Sequence, residues 1–139
     1  MMGLHLYWED DQKVIIRQVY DLTWTWDEYL AAFEKIRQLG NEVDYPIGMI
    51  SEIGNIRSVP PNAILYGARG IRSLPSNIIL TVMVTSSPLA LSLLKVILTA
   101  TQFKNIQTAA TVADARRMIN DKLNTDLSTT GSKYKHLSY

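Results

Sequence analysis

The chain has 139 residues, a net charge of +1, 47% hydrophobic residues and 19% charged ones, the composition of one globular core rather than of a disordered, fibrous or polyanion-binding chain. It has no cysteine and only two histidines, His5 and His136, near opposite ends. Disulfides and thiolate chemistry are thereby excluded, and a zinc site or Ser/His/Asp triad lacks its interior imidazole, so neither nucleic acid nor any metal or other cofactor is expected.

Met1 to Trp8 lacks a basic start and a long apolar run, so no secretory leader is expected. The longest apolar stretch, Leu89 to Leu98, is broken by Ser92 and Lys95 and is too short to span a bilayer. A cytoplasmic protein is the expectation.

Leu4 to Trp8 and Val14 to Tyr20 are β-branched and aromatic runs separated by the polar cluster Glu9, Asp10, Asp11, Gln12, which predicts an antiparallel hairpin with a solvated turn. The acidic cluster is no phospho-acceptor pocket, because a strand rather than a helix follows it. Thr25 and Glu28 stand in the capping-box relation and open a helix over 25–39. Trp26, Tyr29, Leu30, Phe33 and Ile36 fall on one of its faces. Gly40 is placed to end that helix with a positive φ.

Pro46 to Ile53 is nearly continuous apolar sequence, as in a strand covered on both faces of a parallel sheet. Asn62 is expected to cap a short helix from Ala63 to about Arg72, whose Gly67 and Gly70 imply either close packing or fraying. Ile78 to Thr85 reads as the central strand. Ser87 as N-cap and Pro88 at the first helical position open a helix to Ala100, and its one polar stripe is Ser92, Lys95 and Thr99. Asn105 to Ala109 is a short edge strand, and Thr111 with Asp114 opens a last helix that ends near Leu123. The polar segment from Asn124 onward is expected to be disordered.

The order ββαβαβαβα predicts a single α/β domain over 1–123, with a mostly parallel mixed sheet of about five strands, an N-terminal antiparallel hairpin and about four helices.

TWDEYLAAFEKIRQL at 25–39, YPIGMISEIGNIRSVPPN at 45–62, PSNIILTVMVTSSPLALSLL at 75–94 and ATVADARRMI at 110–119 together resemble the STAS superfamily, in its SpoIIAA-like branch. That resemblance implies a small non-catalytic regulatory module that works by protein contact, often as a homodimer. It also implies a phosphorylatable Ser or Thr at the start of the helix after the third strand. The matching place reads Pro60, Pro61, Asn62, and Asn62 has no hydroxyl, so a module without the phosphoserine switch is implied. The likeness of this branch to Sec14-type lipid-binding folds implies an alternative, a carrier or sensor of a small apolar ligand.

In an open α/β sheet the loops beyond the strand ends are where ligands meet the protein. The candidate residues are therefore Glu52, Arg57, Ser58 and Asn62 after one strand, and Thr85, Ser86 and Ser87 after the next. Glu52 is expected to pair with an arginine such as Arg57 or to reach water. The apolar helix from Pro88 supplies the candidate oligomer contact, Leu91, Leu94, Lys95 and Leu98. A protein partner is expected but not named by the sequence, and no catalytic constellation is visible.

Overall fold

In a computed structural model, residues 3–129 are described. The elements run β1 (Leu4–Trp8), β2 (Ile15–Tyr20), α1 (Trp26–Gly40), β3 (Ile47–Glu52), α2 (Ala63–Arg72), β4 (Ile78–Val84), α3 (Pro88–Thr101), β5 (Ile106–Ala109) and α4 (Val112–Thr129). They form a single α/β domain around a mixed five-stranded sheet of order β1-β2-β3-β4-β5. The β1–β2 pair is antiparallel and every other pair is parallel. The middle strand is β3 rather than β4. Both are apolar because both are interior, and apolar content does not rank interior strands.

Each parallel crossover steps the same way across the sheet, so right-handed connections place α1, α2 and α3 on one face. The chain then turns back and lays α4 on the other face, where Ala115, Ile119 and Leu123 pack on Ile15, Ile50, Leu80 and Val82. A side chain at Gly48 would collide with Ile119, so this seam is closely fitted. The front layer is less even. α1 packs on β1, while α2 and α3 lie against each other and stand off the strands.

The local signals act as their chemistry dictates. Thr25 accepts from the Glu28 amide at 3.2 Å while Glu28 returns to the Thr25 amide at 3.0 Å, satisfying two otherwise orphan donors. Ser87 accepts from the Ala90 amide at 3.3 Å ahead of Pro88, and Thr111 caps α4 through the Asp114 amide at 3.1 Å.

Three local expectations are corrected. Gly40 is the last residue of α1 and has no positive φ; its smallness serves Pro75 instead, whose Cγ would lie 2.8 Å from a Cβ there. Asn62 has φ 65° and makes no side-chain cap bond, because in the left-handed region it turns the chain into α2 through its backbone, and its carbonyl accepts from the Tyr66 amide at 3.1 Å. Asparagine is among the residues that tolerate this region best. Finally, α4 runs on to Thr129, and Thr125, itself exposed, donates to the Asp121 carbonyl at 2.9 Å. The rest of the expected disordered tail, 130–139, lies outside the described residues.

Gly67 and Gly70 mark close packing. A Cβ at Gly67 would lie 2.5 Å from Ile97 Cδ1, the movable end of a flexible side chain, whereas one at Gly70 would lie 2.5 Å from the rigid ring of Tyr29. Helix propensity alone would reward Gly70→Ala by about 1 kcal/mol. Overpacking against an aromatic ring costs roughly 1–3 kcal/mol, so the clash wins. Gly70→Ala is expected to lower stability by urea denaturation, and Gly67→Ala to be close to neutral.

Candidate functional site

The two loops named by the sequence do lie side by side, but their polar groups are occupied with one another. Ser87 Oγ donates to the Ile56 carbonyl at 3.2 Å, and Thr85 Oγ1 accepts from the Ser87 amide at 3.0 Å. Both residues are buried. Arg57, Ser58, Asn62 and Ser86 are exposed and do not converge on a pocket. Glu52 pairs with Arg17 of β2 and not with Arg57, because both side chains lie on the α4 side of the sheet, where β2 and β3 are in register.

Concavity lies one layer deeper, where α2 and α3 stand off the strands. An apolar cleft opens between them and the sheet, with a cavity of about 100 Å³ inside a wider empty volume of about 720 Å³ that includes its open mouth. One wall is aromatic: Tyr20, Trp24, Trp26, Tyr29 and Phe33. Met49 and Met83 form part of the floor, and Leu93, Leu94 and Ile97 of α3 face them. The aromatic wall is a connected set. Trp24 meets Trp26 edge-on at 4.9 Å, Trp24 stacks on Tyr29 at 5.8 Å, and Tyr29 meets Phe33 at 4.7 Å. Trp26 is further fixed by donating Nε1–H to the Pro61 carbonyl at 2.5 Å and by stacking on Tyr66. Through these contacts the proline-containing loop holds the wall in place.

No charged side chain lines the cleft. Its polar groups come from three adjacent strands, Gln18 of β2, Ser51 of β3 and Thr81 of β4. Ser51 Oγ donates to Gln18 Oε1 at 2.8 Å. The Tyr20 phenol, whose pKa burial raises and the Ser51 hydroxyl partly lowers again, stays protonated at neutral pH. The Tyr29 phenol is likewise held protonated by burial and donates to the Gly67 carbonyl at 3.0 Å. Gln18 Nε2 and Thr81 Oγ1 are buried without a hydrogen-bond partner.

Sequence reasoning passed over Gln18, Ser51 and Thr81. The signal was the period-two alternation of each strand: Ile16, Gln18 and Tyr20 share a face with Met49 and Ser51, and with Thr81 and Met83. A polar residue on such a face is the informative exception.

Of the expected oligomer contact, Leu91 and Lys95 are exposed and Leu98 is half-buried, while Leu94 turns inward to the cleft. Leu89 and Val96 join Leu91 on the exposed surface of α3, and Ile64 and Leu65 are exposed on α2.

On the opposite face lies a charged cluster that joins distant elements. Arg17 reaches both Glu52 and, at 3.3 Å, Glu9; Glu9 in turn takes Arg116 of α4 at 2.6 Å and 3.1 Å. Glu9 was expected in a solvated turn, but its side chain is only 14% exposed, since α4 brings Arg116 down upon it. Among the described residues no three His, Cys, Asp or Glu gather as metal ligands, and no helix is long and apolar enough to cross a membrane. No family model, curated protein or solved structure matches the chain.

The Arg116 hydrogen bond, partly opposed by burial and assisted by the charges of Arg116 and Arg17, holds the Glu9 carboxyl below its ordinary value of 4.5. Ionised Glu9 therefore contributes stability that is fully present above that ordinary value and is lost as pH falls through the lowered one. Glu9→Gln is expected to cost stability by a constant amount between pH 7 and pH 6, the difference from the unaltered protein closing progressively below about pH 4. Denaturation at a series of pH values measures it, and a difference that persists in acid would contradict the ion-pair account.

Proposed function

We propose that the protein is a non-catalytic, cytoplasmic, STAS-like module that carries or senses a small apolar ligand, held in the cleft between the sheet and α1, α2 and α3. The supporting observation is the cleft itself, with a connected aromatic wall and no charge. A well-packed domain has few voids larger than a water molecule, and an apolar cavity of roughly 150 Å³ suffices to bind benzene. The enclosed space of about 100 Å³ is smaller than that, so a ligand of one ring or a short chain would also occupy part of the wider, open cleft. The titratable groups in the cleft, the Tyr20 and Tyr29 phenols, are held protonated by burial and no charged side chain joins them, which favours binding over chemistry.

Ethylbenzene titrated into the protein is expected to bind with a Kd of about 1 mM or tighter, shifting the amide NMR signals around Trp24, Met83 and Ile97. Leu94→Phe, which fills the cleft, is expected to abolish those shifts while leaving the fold intact. Shifts that are absent, or that survive in Leu94→Phe, would remove the basis of the proposal.

A second reading, contact with a second copy of the chain, is supported by Leu89, Leu91 and Val96, which leave α3 with an apolar outer surface. Light scattering at micromolar concentration is expected to give twice the 15.7 kDa chain mass, and Leu91→Glu with Val96→Glu to return it to one. A clean monomer in the unaltered protein would exclude this reading.

A further inference from the structure

We infer that the cleft selects an uncharged apolar molecule that carries one hydrogen-bond-accepting oxygen, such as a ketone, and that Gln18 and Thr81 are the residues that recognise that oxygen. This rests on the apolar-ligand reading above and adds the chemical class of the ligand.

The inference starts from two orphan groups. Gln18 is 1% exposed and Thr81 is 5% exposed, and both line the cleft while Gln18 Nε2 and Thr81 Oγ1 have no partner. Buried polar groups are nearly always satisfied, and each exception requires a reason. The neighbours cannot supply one. Ser51 donates to Gln18 Oε1, and the NH2 end of that amide is the one without a partner. Tyr29 gives its proton to Gly67. The Tyr20 hydroxyl is engaged with Ser51, and the remaining lining is aromatic, aliphatic or thioether. The cleft-lining groups left without a partner are an amide nitrogen of β2 and a hydroxyl of β4, on either side of β3.

Both groups can donate, so the complement is an acceptor. A carboxylate would also accept, but no cation lines the cleft to offset the loss of its hydration, and an unpaired buried charge is far costlier than an unpaired dipole. A hydrocarbon would fill the space and leave both groups orphaned. A neutral oxygen on an apolar body meets both conditions.

Three probes of nearly equal size separate these cases: acetophenone, ethylbenzene and benzoate at pH 7, followed by amide NMR shifts. A cleft without polar recognition would favour ethylbenzene over the ketone by roughly tenfold or more, because the carbonyl would lose its hydration unrepaid. We expect acetophenone to bind at least as tightly as ethylbenzene, with benzoate undetectable. Gln18→Leu is expected to weaken acetophenone about tenfold and to leave ethylbenzene unchanged or tighter. Thr81→Val serves as a second variant. Without ligand it should raise Tm by roughly 2–5 °C, as removal of an unpartnered buried hydroxyl should.

A lowered Tm for Thr81→Val would show that a resident water already satisfies the hydroxyl, and would overturn the inference. So would ethylbenzene binding tenfold tighter than acetophenone, with no effect of Gln18→Leu; the apolar cleft would then stand and its polar selectivity would not. If neither neutral probe binds, the apolar-ligand reading fails and this inference with it.

Discussion

When successive parallel strands are added on the same side of a growing sheet, right-handed crossovers leave the connecting helices no choice of face. Here β2 to β5 are laid down in strict order, so α1, α2 and α3 must all share one surface. That surface is uneven: α1 brings four large aromatic side chains, Trp26, Tyr29, Phe33 and, from the chain just before it, Trp24. α2 meets this aromatic layer through Gly70 and meets α3 through Gly67. Its close partners are thus the Tyr29 ring and Ile97 rather than the strands. The cleft follows from that arrangement, as the space beneath two helices that are supported by neighbours on their flanks.

The two faces of the sheet divide the work differently. Behind it, one amphipathic helix closes a fully aliphatic core, and the charges at its margin pair across β1, β2, β3 and α4. In front of it, polar side chains of three neighbouring strands sit under an apolar roof, two of them with unused hydrogen-bonding capacity. Local rules of sequence and structure agree across most of the described residues and fail at Gln18 and Thr81, and at the buried Arg17 Nε, which also lacks a partner. Departures of that kind mark places where stability has been subordinated to something else.

Most of the architecture was readable in advance because each element carries its own signal. The capping box at Thr25 and Glu28, Ser87 before Pro88, and the β-branched run of β4 act within a few residues, and such signals need no tertiary information. Gly40 and Asn62 were misread for a common reason. Each suits either a backbone role or a contact role, and only Pro75 beside the one and the left-handed turn at the other decide between them. Glu52 was given the nearest arginine in sequence, yet its partner comes from the adjacent strand, a fact of register. The cleft was hardest to foresee, since a space is defined by the side chains that fail to fill it. The aromatic residues Trp24, Trp26 and Tyr29 signalled its rim, and the polar residues on apolar strand faces its floor.

The bond between Glu9 and Arg116 joins residues 107 positions apart, tying the first hairpin to the last helix. A ribosome releases Glu9 well before Arg116. Until α4 emerges, the back of the sheet, with Ile15, Ile50, Leu80 and Val82, has nothing to cover it, however well the front layer has already formed. The nascent chain therefore passes through a stage with a finished front and a bare aliphatic back, the kind of surface that draws chaperones or a neighbouring nascent chain. Emergence of α4 is thus a condition for covering that surface, however fast the front layer folds.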